Sequence, residues 1–187
     1  MYFTPTPLTD AYVIEAEILE DTRGFFARTW CQKEVAAHEL DSNLVQCSLS
    51  FNKKKGTLRG MHLQLPPFAE TKLVRCTQGA IYDVIVDLRP NSPTYLRWAA
   101  VELTAQNHKA LYIPKGFAHG FQTLEDNIEI LYQMSEFCHP NSARGFRWND
   151  PAFNITWLEE VSMISDLDRT YADYTPDSLS IMQSSSL

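Results

Sequence analysis

The most restrictive feature of this chain is a short-range alternation that returns repeatedly between turn signals. From position 81 to 88, Tyr82, Val84, Val86 and Leu88 fall on one side, while Ile81, Asp83, Ile85 and Asp87 fall on the other. Side chains alternate at period two along a strand, so this run reads as β. Arg89-Pro90-Asn91-Ser92-Pro93 stops it, because proline brings no N–H to a ladder and Asn and Ser favour turns. Residues 127–135 repeat the pattern, with Ile128, Ile130, Tyr132 and Met134 on one face. Further strands are predicted over 11–16, 24–30, 44–51, 57–65, 71–77, 97–103, 110–113 and 117–123. A helix is predicted only over 32–39, with a short turn near 158–161, and Lys53-Lys54-Lys55-Gly56 reads as a solvated hairpin turn. So many short strands beside so little helix predict an all-β protein, with a jelly-roll barrel leading and another β-sandwich still open.

The 187 residues suit one domain, expected over 1–175, with a flexible tail over 176–187 that ends in Gln183-Ser184-Ser185-Ser186-Leu187. A net charge of −7 argues against a nucleic-acid partner, which needs basic surface, but leaves room for a small anion held by a local cation cluster. No run approaches the roughly 20 apolar residues that span a bilayer, so no membrane association is expected. The opening Met1-Tyr2-Phe3-Thr4-Pro5 has neither the basic region nor the apolar run of a secretory signal. Cys31, Cys47, Cys76 and Cys138 are widely spaced, which predicts reduced, packing thiols in a cytoplasmic protein.

Strand parity supplies the first chemical clue. His62 shares a face with Leu58, Gly60 and Gln64; Lys72 with Val74 and Cys76; His119 with Phe117 and Phe121; Tyr132 with Ile128 and Ile130. In a barrel such faces point inward, where an ionisable group is costly unless partnered. A lone inward histidine is usually a hydrogen-bonded core residue, and a lysine can snorkel to a rim. Four such groups together instead point to a polar site. Arg59 has the opposite parity to His62, so a bulge at Gly60 or a place at the barrel mouth is needed to bring both to one cavity.

Arg59-Gly60-Met61-His62-Leu63-Gln64, Lys72-Leu73-Val74-Arg75, Asp83-Val84-Ile85-Val86-Asp87-Leu88-Arg89, Ile113-Pro114-Lys115-Gly116-Phe117-Ala118-His119-Gly120-Phe121 and Arg144-Gly145-Phe146-Arg147-Trp148-Asn149-Asp150-Pro151 occur in order. Together they resemble the dTDP-4-dehydrorhamnose 3,5-epimerase family, from about Thr9 to Tyr171. The resemblance implies a cupin-like jelly-roll β-barrel with short peripheral helices, a homodimer, and a nucleotide-sugar site using neither metal nor organic cofactor. It implies epimerisation at C3 and/or C5 of a nucleotide-linked 4-keto-6-deoxyhexose in deoxysugar biosynthesis. His62 falls on the family's base, Tyr132 on its acid and Asp168 on the carboxylate partner of the base. Gln46, Arg59, Lys72 and His119 fall on substrate-binding positions, and Arg23 and Phe26 on a segment that reaches a neighbouring subunit's site.

These residue types suit the chemistry. A proton beside a ketone needs a base, for which imidazole, with a pKa of about 6.5, is apt. Tyrosine can return a proton to the opposite face, and Lys72 or His119 could stabilise the oxyanion. The chain departs from the family pattern at Arg28, Ser48, Leu63, Cys138, Ala143 and Leu167, which leaves the nucleotide and the sugar open. Two alternatives compete: a metal-dependent cupin, for which His62-x-Gln64 offers a poor ligand pair helped by Glu70 and His119, and a non-catalytic sugar-binding barrel.

Overall fold

The computed structural model describes residues 1–179. Strands β1 (Tyr2–Pro5), β2 (Tyr12–Glu15), β5 (Gln46–Asn52), β7 (Lys72–Gln78), β10 (Lys109–Ile113) and β12 (Ile128–Met134) form one sheet, ordered β1-β2-β10-β7-β12-β5. Strands β6 (Thr57–Gln64), β8 (Ala80–Asp87), β9 (Trp98–Thr104), β11 (Phe117–Thr123) and β13 (Ala143–Gly145) form the second, ordered β13-β6-β11-β8-β9. The two-residue β14 (Met163–Ile164) runs parallel to β6, and β3 (Ile18–Asp21) pairs with β4 (Gly24–Ala27) as a hairpin of its own. Helix α1 spans Gln32–Ala37 and α2 spans Asp166–Thr170.

The apolar neighbours of Lys72, His119 and Tyr132 point inward as predicted, and Ile81 and Ile85 join them. Val74 and Cys76, Ile81 and Ile85, Phe117 and Phe121, and Ile128 and Ile130 form one core between the sheets, with Tyr132 packed against it. This is the jelly-roll barrel. Two outer layers cover what alternation leaves apolar outside. Val35 of α1 packs on Ile14, Leu73, Ala110 and Tyr112. The C-terminal segment lays Phe146, Phe153 and Tyr174 over Met61, Val84 and Val86, so β8 is buried on both faces. The three rings pack mutually at 5.3 to 6.0 Å between centroids, each pair worth about 1 kcal/mol beyond area burial. Tyr95 and Tyr174 hydroxyls meet at 2.6 Å, and Asp150 accepts the Tyr174 N–H. That anchoring matters because the same segment carries Asp168.

Several expectations change. Helix α1 ends at Ala37, short of the predicted 39, and 158–161 forms a bend only. The Lys53–Gly56 turn does not close a hairpin: β5 pairs with β12 and β6 with β11, so the turn crosses between sheets. The segment expected to be flexible from Pro176 opens with a 3-10 helix over Pro176–Leu179, and Leu179 packs on the outer core. Its remainder, 180–187, lies outside the described residues. Cys76 is buried as expected, but Cys47 and Cys138 are exposed and are not packing residues. Among the described residues no helix is long and apolar enough to cross a membrane.

Candidate active site

A cavity of 370 Å³ opens between the sheets, lined among others by Arg59, His62, Gln64, Glu70, Lys72, His119, Tyr132 and Tyr171. His62 and His119 reach it from β6 and β11, whereas Tyr132 and Lys72 reach it from β12 and β7 of the facing sheet. Arg59 and His62 both line it because β6 carries an extra residue there. His119 pairs with His62 and Phe121 with Arg59, so the register slips across Gly60 and Met61. This is the bulge that strand parity required. Gly60 sits at φ +131°, and a Cβ there would lie 2.5 Å from Gly120 Cα, so the two strands approach through paired glycines.

His62 Nε2 lies 2.7 Å from Asp168 Oδ1, with the imidazole 40% exposed and the carboxylate 6%. Asp168 also accepts the Gly60 N–H at 3.3 Å. Strand β14 docks α2 behind β6, and Ser165 caps α2 by accepting the Asp168 N–H at 3.0 Å. Burial works to raise the Asp168 pKa, but the His62 contact and the Gly60 and Ser165 hydrogen bonds outweigh it and hold the carboxyl below its ordinary value. With Nε2 committed to the carboxylate, Nδ1 is the nitrogen left to accept a proton.

The second histidine is held differently. His119 Nε2 lies 2.7 Å from Asp83 Oδ1, and both side chains are almost wholly buried. Asp83 Oδ2 has no hydrogen-bond partner among the described residues. Tyr132 stands edge-on to His119 at 5.9 Å; burial pushes its phenol up, Asp83 adds to the effect and Arg59 opposes it. The hydroxyl therefore stays a proton donor. Lys72 pairs with Glu70 at 3.1 Å, and Arg59 Nε donates to Asn52 at 2.8 Å.

Three of the expected binding residues stand apart from this cavity in the single chain. Arg23 and Phe26 lie on the exposed β3–β4 hairpin, with Phe26 71% exposed. Gln46 accepts the Cys138 N–H at 3.3 Å beside the mouth and does not line the cavity, while Ser48 and Ser50 of the same strand do.

Sequence reasoning missed two roles. Asp83 shares a face with Ile81 and Ile85, and a carboxylate on an apolar face needs a partner, so alternation could have flagged it. Gln64 is a clamp: its Nε2 donates to Phe68 O and Phe137 O, both at 3.1 Å, and its Oε1 accepts the His139 N–H at 2.6 Å. It thereby joins two loops at the barrel mouth. Of the four groups a metal site would draw on, Gln64 is held by these loops, Glu70 by Lys72 and His119 by Asp83, while His62 keeps Nδ1 open.

The sequence profile of the dTDP-4-dehydrorhamnose 3,5-epimerase family matches residues 5–175. The enzyme of that name from Sinorhizobium fredii is 41% identical over 164 residues, 88% of this chain and 84% of its own. The crystal structure of the Bacillus anthracis enzyme, with TDP and PPi bound, superposes with a TM-score of 0.89 at 39% identity, over 92% of this chain and 99% of that one. A dTDP-6-deoxy-D-glucose-3,5-epimerase from Legionella pneumophila, in complex with dTDP-4-keto-L-rhamnose, gives 0.86 at 32% identity over 97% and 94%. This chain therefore belongs to the dTDP-4-dehydrorhamnose 3,5-epimerase family and is an isomerase of the epimerase type.

Proposed function

We propose that this chain inverts C3, C5 or both in a nucleotide-linked 4-keto-6-deoxyhexose, in the manner of dTDP-4-dehydro-6-deoxyglucose passing to dTDP-4-dehydrorhamnose. The observation that carries this reading is that a carboxylate-backed imidazole and a protonated phenol enter one cavity from opposite sheets. His62 Nδ1 takes the proton beside the ketone, and Asp168 steadies the imidazolium that forms. Negative charge collects on the C4 oxygen, where Lys72 and His119 supply hydrogen-bond donors. Tyr132 returns a proton to the other face. Arg59 offers a planar fork for phosphate oxygens. No step draws on a metal.

The acting unit in this reading is a homodimer of single-domain chains. In β5, Ser48, Leu49 and Ser50 line the cavity, and Leu49 and Phe51 are more than half exposed. Phe25 and Phe26 of the hairpin are likewise exposed beside Arg23, as suits an arm that reaches a partner's site with Arg23 and Phe26. Gln46, by holding Cys138, would shape the mouth against which the nucleotide lies. The four free cysteines suit a reducing, cytoplasmic setting.

Nucleotide-linked 4-keto-6-deoxysugars followed by NMR in deuterated water test the reading. Deuterium should enter C3, C5 or both, and should do so after exhaustive chelation. No exchange with any of them would favour a non-catalytic sugar-binding barrel, and loss of exchange on chelation would favour a metal enzyme.

A further inference from the structure

The cavity holds a second tyrosine for which the chemistry above has no use. Tyr171 is the C-cap residue of α2, three positions beyond Asp168, so one short helix delivers two groups to the same imidazole. Its ring stands edge-on to His62, with centroids 6.0 Å apart and planes at 75°. The reason it fits is local. Gly145 of β13 pairs directly with His62 of β6, and a Cβ at Gly145 would overlap the Tyr171 ring. The missing side chain is the space in which the ring lies, against Gly145 and beside the base. The phenol has no hydrogen-bond partner among the described residues, although the ring lines the cavity. Burial first, and the Asp168 charge second, push its pKa upward, so the hydroxyl is a donor at neutral pH.

An apolar ring with one free polar tip, edge-on to the imidazole of the base, matches a sugar: C–H faces between hydroxyl and keto oxygens. We propose that Tyr171 is a specificity-determining residue that walls the sugar subsite beside His62 and donates its phenolic hydrogen bond to a sugar oxygen. This rests on the epimerase reading given above. The role differs from that of Tyr132, which enters from the other sheet and beside the other histidine. The hydroxyl selects and orients, and the ring limits which carbon is presented to Nδ1.

The test uses Tyr171→Phe, which keeps the ring, and Tyr171→Leu, which removes it. With a 4-keto-6-deoxysugar nucleotide that the unmodified enzyme turns over, Tyr171→Phe should raise KM about three- to tenfold, the range expected for one neutral hydrogen bond, with kcat little changed. Its thermal midpoint should not move. Tyr171→Leu should raise KM further and alter the ratio of deuterium entering C3 and C5. Wild-type KM and an unchanged deuterium ratio in Tyr171→Phe and Tyr171→Leu alike would overturn the proposal and leave the ring as packing on Gly145. An unmodified enzyme that exchanges no deuterium would overturn the epimerase reading and this inference together, whereas an active enzyme with silent variants overturns only the role of Tyr171.

Discussion

The two His–Asp pairs have the same atoms at the same separation, 2.7 Å, and opposite surroundings. In His119–Asp83 both residues sit on adjacent strands, β11 and β8, and are almost wholly buried in the cavity wall. In His62–Asp168 the imidazole stands on β6 open to the cavity, and its carboxylate comes from a helix docked outside the sheet. A base that must take and release protons needs access and a partner that can steady a changing charge. A fixed dipole aimed at a ketone oxygen needs rigidity instead. Exposure, more than pairing distance, separates the two roles.

The largest effect that should distinguish the pairs is on stability. His119→Ala leaves Asp83 buried with neither oxygen partnered, and breaking such a pair costs about 3–5 kcal/mol. For a chain of this size that lowers the thermal midpoint by roughly 10 °C. Removing His62 from the open pair should move it far less. Calorimetry of the two alanine variants checks this, and equal losses would erase the distinction.

Next in size is Asp168→Asn. If the carboxylate fixes the imidazole tautomer, turnover should drop by about 10² or more with substrate affinity nearly unchanged. Steady-state kinetics decide it: a rise in KM alone would make Asp168 a binding residue.

The smallest effect is a pH dependence. The folded pKa of Asp168 lies below its unfolded value of about 3.9, so its stabilising contribution is complete above that value and fades as pH falls through the lower, folded one. The difference in thermal midpoint between the unmodified protein and Asp168→Asn should therefore shrink as pH falls below about 4. A difference that grows on acidification would contradict the assigned direction.

The sequence carried unequal information about these pairs. His119, Tyr132 and Lys72 were legible as inward residues because strands alternate and their neighbours are apolar. The slip that brings Arg59 beside His62 was legible as a conflict of parity, with Gly60 as the residue able to relieve it. Asp168 was reached only by resemblance. Its element is five residues long, follows a two-residue strand, and has no periodicity to read, although Ser165 three positions ahead is a capping signal. The sheet crossing at Lys53–Gly56 was illegible because strand partners are chosen by contacts distant in sequence. In the sequence Gln64 shows only as a poor metal ligand; its clamp depends on loops that only the folded barrel brings together.

The central claim is that the open histidine is the base. His62→Ala, given a 4-keto-6-deoxysugar nucleotide in deuterated water, should incorporate no deuterium at C3 or C5 while keeping the unmodified protein's far-ultraviolet circular dichroism. Deuterium entering at the unmodified rate would contradict it.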